Sequence, residues 1–492
     1  MKKLRNIILV ALLMTVGFTI PIQASMVATN KALTVANNWI NVIIQKKGSW
    51  GGANDAFVQD IQEFKRGGRI IGYFCNVEPA GYIVVSLRRE LAPVKAYSAI
   101  SSIDPESDEG LADVIKLGME RILNGIEKQV GPIESVRTED VQNILEINYC
   151  DVWAKLDGGT IGIEMDYQGG DPSLLSSSWH QGDPYNQQCP TPADVGDPDC
   201  TEARCAAGCV AIAGAQIMRY WSWPPYGQGQ LPGVRPGEVV HYEDSYDWPN
   251  MPDRNFSTTD QNDAVAELCY EVGNAASMNY CTLGTCGSET PTYGLEDAFE
   301  NQYRYFRDAG SKRHNRPDYT AIDWFNLMRE EFNANRPVVY RIPGHAIVGD
   351  GWQVVLGERQ YHMNYGWNNN RTTWYALDGL HNGDPDHEYM LIDIYPDKAL
   401  GSFIAPGTIS TNPSFPYRYF DRDVTCNSNV FSAGQYLQFL PGIRVLSTSQ
   451  IKFSGLPGLV TRLYSRGDIL RGIRIDYGAI NMHANGCIKF HK

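Results

Sequence analysis

The segment "CAAGCVAIAGAQIMRYW", residues 205 to 221, constrains this chain more than any other. From Val210 to Tyr220 it is apolar nearly all round, with Gln216 and Arg219 as its main polar interruptions. A helix apolar on every face is stable only as a central helix, covered on all sides. Gly208 directly precedes Cys209, so the backbone can turn sharply there and leave the thiol at the helix start. The partial positive charge of a helix N-terminus favours thiolate over thiol. Cys205 lies upstream in the loop and gains much less from that field, which makes it a disulfide or structural residue. Cys209 is the candidate nucleophile; the competing reading is a small buried apolar residue.

A thiolate needs a base, and the chain has nine histidines. His345 lies in "PVVYRIPGHAIVGDGW", between two strand-like runs, with Gly344 leaving space beside it. Its separation from Cys209 falls inside the roughly 130–150 residues known for one large class of thiol peptidases. His362 in "QYHMNYGW" is the rival, but it sits inside a strand with no glycine beside it. Asn364, in "MNYGWNN", can accept the imidazole N–H and hold the ring towards sulfur. Trp367 can cover that contact from water. Upstream, "SSWHQGDPYN" offers Gln181, whose amide can donate to an oxyanion together with the nucleophile's own N–H. The chain order is Gln, Cys, His, Asn.

The stretches "WHQGDPYNQQCP", "AAGCVAIAGAQIMRYWSWP", "PVVYRIPGHAIVGDGW" and "YHMNYGWNNN" resemble the streptopain family of secreted bacterial cysteine peptidases. The likeness covers about residues 165 to 395, and the segment before it, with "GYIVVS", is similar to that family's inhibitory prodomain. It implies a papain-like fold, a zymogen, and an endopeptidase that takes many proteins and peptides, with a hydrophobic residue favoured just upstream of the cut. By motif position the nucleophile is Cys209, the base His345 and the oxyanion donor Gln181. Gly344, Tyr365 and the loop around Ser288 would border the substrate. Members often carry tryptophan, beside the catalytic histidine, where this chain has Tyr365.

The N-terminus "MKKLRNIILVALLMTVGFTIPIQAS" has basic residues, an apolar run and then small residues. That is the form of a secretory signal peptide, cleaved after Ala24; the run is short for a membrane span. The expected location is therefore outside the cell or on its surface. A formal net charge of −14 argues against nucleic acid as a partner, and no membrane span is expected once the signal is removed.

Export changes how the 11 cysteines read, since most should pair. Cys426 with Cys487 is the favoured bridge in the C-terminal region. Cys281 and Cys286 could close a small loop, and one bridge is plausible among Cys189, Cys200 and Cys205. Cys200, Cys205 and Cys209 lack a standard zinc spacing and a fourth ligand, so neither metal nor cofactor is expected.

The texture divides the chain into an α+β prodomain over 25–160, the peptidase domain over 161–398 and a C-terminal unit over 401–492. The first unit has "KALTVANNWINVII", strands in "RIIGYFCNV" and "GYIVVSL", and the helical "GLADVIKLGMERILNGIEKQV". The last alternates short strands with turns, which suits a small all-β sandwich and a role in surface attachment or docking. No internal repeat is evident. The alternative function is an inactive exported binding or adhesion protein, for which "SRGD" at 465–468 is the one lure; it reads first as a turn.

Overall fold

The structure, a computed structural model, describes residues 26–396 apart from 159–163, 169–172, 225, 283–285, 308–309, 368–371 and 382–387, together with the backbone of strands between 417 and 484. The expected leader, the Cys426–Cys487 bridge and the turn at 466–468 lie outside the described residues.

Helix Cys209–Trp221 is central, as its composition requires: every residue after Cys209 is buried. It packs between helix Thr259–Ala275 and strand His345–Val355. Its two long polar side chains find partners inside. Gln216 Oε1 accepts from Ser177 Oγ at 3.0 Å, and Arg219 pairs with Asp253 and donates to the Met251 carbonyl. That satisfaction is what lets a helix with a glutamine and an arginine be buried at all.

The strand that crosses this helix belongs to an eleven-stranded sheet. From one edge it runs Phe57–Arg66, Arg69–Glu78, Tyr82–Ser86 and Val94–Ser98, then Thr372–Ala376, Glu358–Asn364, His345–Val355, Val338–Ile342, Tyr389–Leu391 and Arg313–Asn315. Met165–Gln168 pairs with the far end of His345–Val355. All these pairings are antiparallel. The first four strands come from the N-terminal unit, so that unit and the residues that follow it share one sheet and one hydrophobic core. Two of these strands, Phe57–Arg66 and Val94–Ser98, are missing from the sequence reading. Pairing Val94–Ser98 with Thr372–Ala376 removes two open sheet edges, each a row of unsatisfied N–H and C=O groups.

The seam is polar as well as apolar. Lys95 Nζ donates to the Ala376 carbonyl at 2.9 Å and sits 2.6 Å from an Asp378 carboxylate oxygen, both side chains buried. Tyr82 donates its hydroxyl to Thr373 Oγ1 at 2.9 Å, and Gln360 Nε2 donates to the Val94 carbonyl at 2.9 Å. Helix Gly110–Val130 crosses the same region; a Cβ on Gly118 would lie 2.2 Å from the Tyr375 hydroxyl, so only glycine admits this approach.

The C-terminal unit differs from the expected sandwich. Its strands pair in parallel, in three ladders: Tyr417–Phe420, Tyr436–Phe439, Thr461–Ser465 and Ile480–Ala484 in one; Val424–Cys426 with Val445–Ser447; and Val430–Ser432, Ile451–Ser454 and Ile473–Ile475 in the third. The first six of these strands visit the three ladders in turn, so the all-β content was legible but the sandwich arrangement was not what the chain adopts. Short strands separated by turns look alike in either arrangement, because the register partner is one full circuit away instead of next in sequence.

The cysteine pairing also departs from expectation. Cys200 bridges Cys286 and Cys205 bridges Cys281, with Cα separations of 4.8 and 5.1 Å. Cys281–Cys286 is not a bridge, and Cys189 is a free buried thiol. The reason is that the loop before the central helix lies against the 281–288 loop. Ala206 N–H donates to the Cys286 carbonyl at 2.8 Å, and Ser288 Oγ donates to the Ala206 carbonyl at 2.6 Å. Cysteines on facing segments meet across the gap.

Candidate active site

Gly208 has φ of 89°, the left-handed region that glycine alone adopts without strain, and it caps the central helix. A Cβ there would also run into Met278. The turn delivers Cys209 to the end of the helix, partly exposed in a cleft of about 430 Å3. Its Sγ accepts from the Ala346 N–H at 3.4 Å. His345 is the preceding residue and starts the neighbouring strand, so the thiol and the imidazole share one end of the helix–strand contact. Cys209, Ser288, Gly344 and His345 all line the cleft, with Arg313 and Arg341 further along. Every described residue that lines it lies at position 209 or beyond.

The histidine is held from behind. Its Nε2 lies 2.7 Å from the Tyr365 carbonyl. A carbonyl only accepts, so Nε2 carries the proton. Trp367 stacks on the imidazole, ring centroids 4.0 Å apart and 22° between planes. Burial lowers the His345 pKa to about 4, against a smaller opposing effect of the Tyr365 carbonyl. Burial also pushes the Cys209 thiol up, opposed by the backbone N–H groups of Ala346 and Val210 and by the charge of Arg341. Burial thus favours the uncharged form of both groups.

Asn364 is not on the imidazole. Its Nδ2 donates to the Ser177 carbonyl at 2.9 Å and to Gln216 Oε1 at 3.2 Å, and its Oδ1 accepts from Gly366 N–H at 3.1 Å. The amide fixes the turn that presents the Tyr365 carbonyl, so its hold on His345 passes through the backbone. Tyr365 itself faces away from the cleft. Its buried ring borders a cavity of about 70 Å3 beneath helix Gly110–Val130, with Val114, Leu117 and Gly118 across from it. Gln181 is tied by its backbone to the segment that leads into Cys209, its carbonyl accepting from Ala207 N–H at 2.9 Å. His362 pairs with Asp350 at 2.6 Å inside the sheet.

Gln216 and the carbonyl of Tyr365 escape a sequence reading. The buried glutamine in an otherwise apolar helix was the available signal for the first; a backbone carbonyl carries none. Among the described residues, the carboxylates of Asp244, Glu267 and Glu271 lie within 4.8 Å of one another, close enough to share a cation. None of them lines the cleft.

Residues 179–375 match the Peptidase C10 family and residues 24–122 match the Spi protease inhibitor family. Over 407 residues the chain is 25% identical to streptopain of Streptococcus pyogenes, covering 77% of this chain and 93% of that protein. A 219-residue stretch is 29% identical to the thiol protease/hemagglutinin PrtT of Porphyromonas gingivalis, covering 42% of this chain and 23% of that protein. The fold resembles a prointerpain A fragment of Prevotella intermedia with a TM-score of 0.51 at 19% identity, covering 69% of this chain and 99% of that fragment. No described helix is long and apolar enough to cross a membrane.

Proposed function

Because the chain belongs to the streptopain-like peptidase family and is a cysteine endopeptidase with an N-terminal prodomain, we propose that Cys209 and His345 are its catalytic dyad. The observation that carries this is the Cys209 thiol at the start of the buried helix, bonded to Ala346 N–H and opening into the cleft beside His345. In the matured enzyme the Cys209 thiolate attacks a peptide carbonyl, and the His345 imidazolium protonates the leaving amine. Water, deprotonated by His345, then hydrolyses the thioester. The Cys209 N–H and the Gln181 amide hold the oxyanion.

Latency is the role of residues 25–160. Among the described residues the cleft is lined from position 209 onward, and the prodomain acts elsewhere than as a plug between Cys209 and His345. It acts from the sheet edge and from helix Gly110–Val130, which packs over the buried Tyr365 ring next to the carbonyl that holds His345. Maturation cleaves between roughly residues 145 and 170, before or within the passage from helix Cys150–Gly158 to strand Met165–Gln168. Residues 1–24 direct export, and residues 401–492 form an accessory module for surface attachment or docking.

The test is to let the chain mature and map the cysteine that takes a thiol alkylator by mass spectrometry. Label on Cys209, with loss of peptide cleavage, is the expected result. Full activity with Cys209 alkylated would refute the dyad.

A further inference from the structure

We infer that the cleft contains a subsite for an acidic side chain, built on Arg313 and lying two to three residues from the scissile bond. The inference rests on the dyad proposed above and extends it along the substrate.

Its position follows from the sheet register. Ala346, whose N–H meets the Cys209 sulfur, pairs with Arg341; Arg341 pairs with Tyr389; and Tyr389 pairs with Asn315. These residues form one row across four strands, leading away from the nucleophile. Neighbouring strands are about 4.8 Å apart, so Tyr389 sits ~10 Å from Ala346, and an extended peptide covers that distance in about three residues at ~3.3 Å each. Arg313 lies on the last of the four strands, two residues before Asn315, with its guanidinium 4.2 Å from the centre of the Tyr389 ring.

The guanidinium is held in place for binding. Tyr293, on the facing wall of the cleft, lies 5.5 Å from it, so two aromatic rings contact the cation. Its Nε donates to Asn315 Oδ1 at 2.9 Å. Among the described residues the two Nη groups have no hydrogen-bond partner and Arg313 has no ion pair. What remains open is the bidentate edge that matches a carboxylate. Arginine cannot lose its charge at any pH the enzyme meets, and Arg341 adds a second cation to the same wall. Glu289, exposed, is the one carboxylate among the described residues that line the cleft. The lining therefore carries two guanidinium groups against one carboxylate, which favours an acidic substrate side chain. In a chain of net charge −14, a cationic spot held open by two rings is a local feature, distinct from the general surface.

The experiment uses the full chain after maturation and a set of peptides identical except for Ala, Asp, Glu or Lys at each of the four positions on either side of the cut. Asp or Glu at one position, the second or third from the cut, should raise kcat/KM about five- to tenfold over Ala, mainly through KM, and salt should erode the gain. Arg313→Ala should bring that ratio to about one. Arg313→Glu should invert it, so that Lys becomes the favoured residue at the same position, an exchange that a purely structural role would not produce. Active enzyme with no acidic preference, or a preference unchanged in Arg313→Ala, overturns the subsite and leaves the dyad standing. If no peptide is cleaved, both fall.

Discussion

Trp374 of the peptidase region pairs in register with Tyr97 of the prodomain, and their rings stack at 6.4 Å with 15° between planes. This contact joins an inhibitor and its enzyme as neighbouring strands of one sheet. Such a joint separates only when both edges open together, so the latent state should be cooperative and resistant to partial loosening.

The first prediction concerns that joint. Lys95→Met removes the cation from a buried pair and leaves Asp378 as an unpaired buried charge, a change that costs about 3–5 kcal/mol in comparable cases. The variant zymogen should mature several-fold faster than the parent, followed by gel over time. Unchanged maturation would show that the seam does not govern latency.

The second separates two cysteines close in sequence. Cys209→Ala should lower peptide cleavage by roughly 10^4-fold or more while leaving the fold intact. Cys205→Ala opens the bridge to Cys281, but the enclosing Cys200–Cys286 bridge remains, so the loss should be about 2–3 kcal/mol of stability on the chain-entropy account, and the protein that remains folded should keep appreciable activity. Denaturant midpoints and active-site titration distinguish the two outcomes.

The third tests Gln216. Gln216→Leu leaves the Asn364 amide, Ser177 Oγ and the Trp179 N–H without their shared partner. Each buried orphan costs about 1–3 kcal/mol. The variant should be destabilised, and in what survives kcat should fall more than KM rises, because the turn carrying the Tyr365 carbonyl loosens. An unchanged kcat would sever the proposed link from the helix to the histidine.

The fourth concerns pH. His345 has a folded pKa of about 4, below its unfolded value near 6.5. The unfolded chain therefore binds more protons in that window, and zymogen stability is lost as pH falls from about 6.5 to 4, by about 3 kcal/mol. Glu271 behaves oppositely. Burial, with the charges of Glu267 and Asp244, raises it to about 9, so its contribution, full below about 4.5, is lost as pH rises towards 9. Glu271→Gln should flatten the alkaline side of the stability curve measured by urea denaturation. A parent and variant with parallel curves above pH 7 would contradict this.

The fifth concerns residues 401–492. Deleting them should leave maturation and cleavage of a short peptide unchanged. An insoluble or inactive product would make the tail part of the enzyme's fold.

Much of the site was written in local sequence. A helix apolar on all faces must be buried wherever it occurs, and a glycine before its first residue sets the direction of the thiol; both are properties of a dozen consecutive residues. The glycine beside His345, and the long helix Gly110–Val130 of the prodomain, were legible for the same reason. What tertiary structure alone decided depends on segments distant in sequence. Cys205 and Cys200 chose Cys281 and Cys286 because two loops lie face to face. Asn364 bonded Gln216, and not the imidazole, because a buried glutamine must be satisfied and the nearest amide is on the neighbouring strand. Val94–Ser98 joined Thr372–Ala376 because exposed strand edges seek partners, and no periodicity records which partner is free. Local pattern sets which groups are present and which face they take; long-range pairing sets which of them meet.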